Sequence, residues 1–277
     1  MSGRILLIGG TGFLGSFVAA RLAARPIAAL VRPTSNRAYL PDGMPVCLGD
    51  LDGPLLLEGS DTLVYCASMG FGHIPPLMKT LEASAVKRAV LVSTTAIFTS
   101  LPAPSRTVRL DAEAAVQDSS LDWTIVRPTM IYGTERDRNI SRLLRHLRRW
   151  PVFPLCGNGL WQPVHVEDVA DAVVSALDSP STVGRAYNLP GAAPLRFTEL
   201  IRTAAQAVGR RHVLQIPVPI SAAALAARLT RVVTPEQVHR LAEDKTFDYA
   251  AATRDFNYHP RTFKEGVAAE ARLLFSV

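Results

Sequence analysis

Residues 9–15 read Gly9-Gly10-Thr11-Gly12-Phe13-Leu14-Gly15, directly behind the apolar run Arg4-Ile5-Leu6-Leu7-Ile8. Phe13, Leu14, Phe17, Val18 and Leu22 then recur at helical spacing. So short an apolar run predicts a buried strand. Strand, glycine turn and helix in that order is the context in which a glycine pattern cradles a dinucleotide. One glycine permits the tight turn, one lets a pyrophosphate approach the backbone, and one lets the helix pack on the strand. The helix N-terminus adds free N–H groups and the positive end of its dipole. Gly9, Gly12, Phe13, Leu14 and Gly15 are therefore candidate cofactor residues. The plain alternative is a glycine turn in an α/β sheet that binds nothing.

A second chemical signal follows the next apolar run, 27–31. Where an acidic residue would accept the ribose hydroxyls of NAD, the chain has Arg32, with Arg37 close by. A guanidinium there suits the 2′-phosphate of NADP, so NADP is the expected cofactor and NAD the second choice. Surface arginines at a strand end would look the same.

Other chemistries are poorly served. Cys47, Cys66 and Cys156 are scattered and odd in number, which argues against a disulfide framework and gives no zinc pattern. His73, His146, His165, His212, His239 and His259 show no ligand spacing either, and no metal is expected. The net charge of +6 is carried almost entirely by arginine. The densest run is Arg136, Arg138, Arg142, Arg145, Arg148 and Arg149, with Arg142, Arg145 and Arg149 able to share one helix face. A solvated face explains it most simply, and a site for an anionic substrate group is the next reading. Nucleic acid is disfavoured, because no aromatic stacking positions interleave with the arginines.

These residues need a frame to position them. At 277 residues, with 48% apolar and 19% charged, the chain reads as a globular protein with a large core. No apolar stretch is long enough for a membrane span, and a cytoplasmic location is the default. Short apolar runs at 4–8, 27–31, 44–48, 62–66, 89–92 and 123–126 alternate with helical stretches near 12–24, 76–85 and 110–117. That alternation predicts an α/β fold, a doubly wound parallel sheet with helices on both faces. Ligands of such sheets sit at the carboxyl ends of the strands. Ala67-Ser68, Ser93-Thr94-Thr95 and Pro128-Thr129-Met130 should therefore line one crevice. After Tyr132-Gly133 the pattern changes to arginine-rich helix, a proline- and glycine-rich loop and later helices without clear strands. We expect a Rossmann-type domain over 1–133, also receiving about 160–190, with a smaller, mostly helical substrate lobe over 134–277 interleaved with it.

Taken together these segments resemble the short-chain dehydrogenase/reductase superfamily, in its extended or atypical, epimerase/dehydratase-like branch. The glycine loop matches the cofactor loop and Gly49-Asp50-Leu51 the adenine-side turn. Val92-Ser93-Thr94-Thr95-Ala96 matches the strand carrying the active-site serine or threonine. Trp123-Thr124-Ile125-Val126-Arg127-Pro128 with Tyr132-Gly133 is similar to the strand and loop beside the nicotinamide. Val164-His165-Val166-Glu167-Asp168-Val169-Ala170 and Tyr187-Asn188-Leu189 resemble two late signatures of the branch. The resemblance implies cofactor contacts from Asp50, Leu51, Ala67, Ser68, Ser93, Pro128 and Met130, and substrate contacts from Arg138, Asn139 and His165.

One departure changes the chemistry. The superfamily's Tyr-x-x-x-Lys pair falls, when aligned on Ala112-Glu113, on Thr107 and Asp111. No tyrosine lies between Tyr65 and Tyr132, and no lysine between Lys87 and Lys245. A tyrosine titrating near pH ~10 exchanges protons at neutral pH only when a neighbouring cation lowers it; threonine cannot serve. Positioned acid–base catalysis is worth ~10²–10⁴ in rate, so its loss slows hydride transfer without forbidding it. Thr94, able to hydrogen-bond a substrate oxygen, and Tyr132, beside the expected nicotinamide, are the remaining catalytic candidates; both also have purely structural readings. The expected function is an NAD(P)-dependent oxidoreductase or epimerase-like enzyme acting on a small molecule, for which the basic helix suggests an anionic group. A non-catalytic dinucleotide-binding regulator or structural subunit is the alternative, and a non-redox enzyme on the same fold the second. Homo-oligomerisation stays open.

Overall fold

Seven short apolar runs hydrogen-bond into one parallel sheet. They are β1 (Arg4–Ile8), β2 (Ile27–Val31), β3 (Val46–Leu48), β4 (Ser60–Tyr65), β5 (Arg88–Val92), β6 (Asp122–Pro128) and, far later, a strand at Arg185–Leu189. The computed structural model describes residues 3–53, 55, 57, 59–101, 104–219, 221 and 243–275; His239 lies outside them. The shorter strands β7 (Ile131–Tyr132), β8 (Val152–Leu155), β9 (Leu160–Trp161) and β10 (Val164–His165) intervene, so the late strand is β11. The sheet order is β11-β6-β5-β4-β1-β2-β3. Chain order reverses between β1 and β4, which opens a crevice beyond the carboxyl ends of those strands. β2 is buried along its whole length, as expected of a strand covered on both faces.

On one face, α1 (Phe13–Leu22) packs beside α5 (Val166–Asp178), with ion pairs from Arg21 to Asp171 and Arg25 to Asp178. On the other lie α2 (Ile74–Glu82) and α3 (Pro104–Gln117). The doubly wound α/β architecture expected from the alternation is therefore what the chain adopts. α3 starts several residues earlier than the apolar periodicity alone indicates, because its first turn, Pro104-Ser105-Arg106-Thr107, is polar.

Among the described residues, α4 (Ile140–Arg149), α6 (Phe197–Ala207) and a C-terminal helix at Phe263–Phe275 form a third core cluster. Around them β8 pairs with β13 (Leu214–Pro217), and β9 with β12 (Leu195–Arg196). At two to four residues these strands are too short to show alternation, which is why the sequence shows only helices here. A short helix, α7 (Ala250–Phe256), returns to the first face and adds Ala252 and Phe256 to its core before the last helix, α8, rejoins the lobe. No helix among the described residues is long and apolar enough to cross a membrane.

Candidate functional site

The glycine loop is built as its spacing requires. Gly9 has φ +83°, and a Cβ there would stand 2.6 Å from the Ala67 nitrogen at the end of β4. A Cβ on Gly15 would stand 2.0 Å from the Gly9 carbonyl oxygen, so only glycine lets α1 seat on β1. Gly12 is the N-cap of α1, and no side chain caps the helix there. The positive end of α1 and its first-turn N–H groups therefore face the crevice.

Two cavities meet in that crevice. The first, about 340 Å³, is lined by Phe13 and Leu14 of the loop, Cys66, Ala67, Ser68, Ser93 and Pro128. The second, also about 340 Å³, is lined by Met130, Asn139, Phe98, Trp161 and the 243–247 segment. Thr94 and Thr129 line both. The expected crevice residues Ala67, Ser68, Ser93, Thr94, Pro128 and Met130 are thus brought together. Cys66 carries no nucleophile here, since burial pushes its thiol up to about 12.

Arg32 and Arg37 are exposed beyond the end of β2, Arg37 in the 3₁₀ turn Arg37–Tyr39. Asp50 is exposed just past β3, while Leu51 packs against the second-face core. Arg138 is exposed and lines neither cavity, nor do Arg142, Arg145, Arg148 and Arg149. The basic helix is occupied elsewhere: Arg145 donates to Ser141 Oγ, and Arg148 donates to the Val208 carbonyl and lies over Phe275. Asn139 does reach the second cavity.

Tyr132 and His165 line neither cavity. The Tyr132 side chain is fully buried below the crevice, edge-on to His165 and Phe263, with its hydroxyl against Gly266 of α8. Its hydroxyl has no hydrogen-bond partner, and burial raises its pKa far above the ordinary value. These contacts match its packing reading. His165 is buried too, and its Nδ1 accepts from the Glu167 N–H to cap α5. Burial, then Arg261, holds its pKa below the ordinary value, so it stays neutral and structural.

Thr94 makes the backbone contact of its structural reading and lines both cavities. Its Oγ1 accepts from the Ala96 N–H at 3.2 Å, capping the 3₁₀ turn Thr95–Phe98, and it still faces both cavities. The positions of the absent dyad do not. Arg127 of β6 donates to Glu113 at 3.0 Å, which fixes the phase of α3 with Ala112, Glu113 and Val116 inward. Thr107 and Asp111 are consequently exposed, and α3 presents Arg109 to the first cavity instead.

The second cavity also contains groups that spacing could not reveal. Glu243 accepts from the Ser100 N–H at 2.9 Å and from the Thr99 and Ser100 hydroxyls. Burial pushes its pKa up, but those donors and Lys245 outweigh it and leave the group below its ordinary value. Lys245 lies with Nζ 3.7 Å from the Trp161 ring centre. Asp244 accepts from the Leu160 N–H, and the Lys245 N–H donates back to the Leu160 carbonyl. Segment 243–247 thus straps the Rossmann side to the lobe across the cavity. Its one visible signal is that Lys245 is among only four lysines in the chain: Lys79, Lys87, Lys245 and Lys264.

A profile of the NAD(P)H-binding family matches residues 9–180, from the glycine loop to the end of α5. The chain belongs to the NAD(P)H-binding family. The uncapped α1 terminus, the close seat at Gly15 and the first cavity fit such a dinucleotide. Over 154 residues the chain is 34% identical to NADH dehydrogenase [ubiquinone] 1 alpha subcomplex subunit 9, mitochondrial, of Arabidopsis thaliana. That match takes in 53% of this chain and 37% of the subunit's length. UDP-glucose 4-epimerase of Vibrio cholerae is 24% identical, over 97% of this chain and 94% of its own. The Thermus thermophilus UDP-glucose 4-epimerase complex with NAD superposes with TM-score 0.76 at 19% identity, covering 98% of each chain. The fold is therefore that of the epimerase/dehydratase-like short-chain dehydrogenases.

Proposed function

We propose that this chain is an NADP-dependent oxidoreductase or epimerase-like enzyme of the cytoplasm that acts on a small molecule. The observation that carries the reading is the meeting of the two cavities at Thr94 and Thr129. One cavity begins at the dinucleotide loop and the other is walled by the lobe, so cofactor and substrate share a wall at Thr94. The bound cofactor supplies or accepts hydride. Thr94, whose oxygen already accepts from Ala96, keeps its O–H to donate to a substrate oxygen. Lys245 brings to the second cavity the lysine charge and exchangeable protons that are missing at Asp111, the dyad's lysine position. Its charge also supports an acidic group on the substrate, a role the arginines of α4 do not fill. Trp161, Phe98 and Phe247 exclude water around the reacting atoms. Arg32 and Arg37 support NADP over NAD.

A non-catalytic subunit is the second reading, favoured by the similarity to the mitochondrial NADH dehydrogenase subunit and by the exposed Thr107 and Asp111. The two separate in one experiment. NADPH and NADH are titrated into the protein, and loss of nicotinamide absorbance is then followed with a panel of carbonyls, activated alkenes and nucleotide sugars. The enzyme reading expects tighter NADPH binding and turnover of at least one class. Tight binding with no turnover anywhere overturns it in favour of the subunit.

A further inference from the structure

We propose that Arg136, reaching across from the second lobe, clamps the diphosphate of the bound dinucleotide. Arg136 sits in the turn between β7 and α4, next to a buried brace. Asp137 is only 5% exposed and accepts from the Asn139 N–H at 2.9 Å and the Ser141 N–H at 3.1 Å. The turn is therefore fixed, and with it the direction of the Arg136 side chain. That side chain points away from its own lobe. Nη2 donates to the Thr11 carbonyl at 2.9 Å and Nη1 to Ser16 Oγ at 2.8 Å. The guanidinium also lies 3.6 Å over the Tyr39 ring centre, in the stretch after β2 that holds Arg37.

Thr11 and Ser16 flank Gly12, so a cation stands at the positive end of α1. All three Arg136 partners are uncharged, and among the described residues no carboxylate pairs with it. A guanidinium and a helix N-terminus repel each other unless an anion lies between them. Both are what a phosphate binds best, one through its planar fork and the other through oriented N–H groups. Held together through Thr11 and Ser16, the two groups make a diphosphate site beside the glycine loop and shared between the two halves of the molecule, although Arg136 is not part of the lining of the first cavity. The clamp serves NAD and NADP alike, in contrast to Arg32 and Arg37, whose expected target is the 2′-phosphate. It rests on the glycine loop as a dinucleotide site and does not depend on turnover.

The test is direct titration of NADH and NADPH into the full-length protein, its Arg136→Gln and Arg136→Lys variants and an Arg32→Ala/Arg37→Ala double variant. Thermal unfolding of each confirms that it is folded. Arg136→Gln is expected to weaken both cofactors by the same factor, on the order of tenfold or more. Arg136→Lys, which keeps the charge but loses the fork and the flat ring contact, should recover only part of that loss. The double variant should weaken NADPH alone. The clamp is overturned if Arg136→Gln leaves both affinities within about twofold of the parent. It is equally overturned if Arg136→Lys is as weak as Arg136→Gln, for then only the tether to Thr11, Ser16 and Tyr39 matters. Failure of the parent to bind either cofactor sinks the dinucleotide reading and the clamp together, whereas a silent double variant sinks only the preference for NADP.

Discussion

Thr94 holds the Ala96 N–H with its hydroxyl oxygen and lines the second cavity, and under the proposed function its hydrogen is the one donated to a substrate oxygen there. Removing the hydroxyl while keeping the shape, as Thr94→Val does, should lower turnover by on the order of 100-fold, the scale of a lost transition-state donor. Cofactor affinity should hardly move, because the diphosphate is gripped elsewhere. Tyr132 behaves in the opposite way. Its hydroxyl is buried against Gly266 with no partner, which costs about 1–3 kcal/mol of desolvation. Tyr132→Phe should therefore raise the melting temperature by a few degrees and leave turnover unchanged. A tenfold loss of kcat would restore Tyr132 as a catalytic group. The glycine loop was legible in the sequence because much of its logic is local: Gly12 and Gly15 answer to Gly9 within one turn, even though Gly9 itself also answers to Ala67 beyond β4. Tyr132 was not, because the residue that buries its hydroxyl lies on the last helix of the chain.

At the scale of elements, α3 shows how one buried pair sets what a helix presents. Glu113 is 3% exposed and meets Arg127 of β6 in a two-oxygen contact. Glu113→Ala would leave Arg127 half-sequestered without a counter-charge, at a cost of about 3 kcal/mol, measurable by urea unfolding. Helix α8 carries the opposite arrangement. Glu270 is fully buried, and burial, together with the neighbouring Asp137 carboxylate, raises its pKa to about 10. Arg145 and the Gly133 N–H face the same group and only partly offset this. The folded state thus keeps Glu270 protonated well above the pH at which the unfolded chain ionises. The resulting penalty is absent below the unfolded value near 4.5 and grows as pH rises from there towards about 10. Glu270→Gln should match the parent in thermal stability near pH 4 and exceed it clearly at pH 8, as scanning calorimetry can show. Equal melting temperatures at pH 8 would contradict the buried-acid assignment. None of this was visible in the sequence, where Glu270 is one more charge on an amphipathic helix.

For the whole molecule, the parallel sheet was legible because aliphatic runs such as Ile27–Val31 and Arg88–Val92 announce burial on both faces without reference to distant residues. The second cavity was not, because its far wall arrives from 243–247, held by contacts to Thr99, Ser100 and Leu160 that follow no period. Under the proposed function the lobe decides what the chain acts on, bringing Lys245 and Asn139 to the substrate cavity and Arg136 to the glycine loop. The most direct test of the account is transfer of deuterium from NADPH carrying it at the nicotinamide C4 to a carbonyl substrate, read by mass spectrometry of the product. The parent protein should place the label on the former carbonyl carbon, and Thr94→Val should do so far more slowly at equal cofactor occupancy. Saturated cofactor with no label reaching any substrate, in the parent protein, would contradict it.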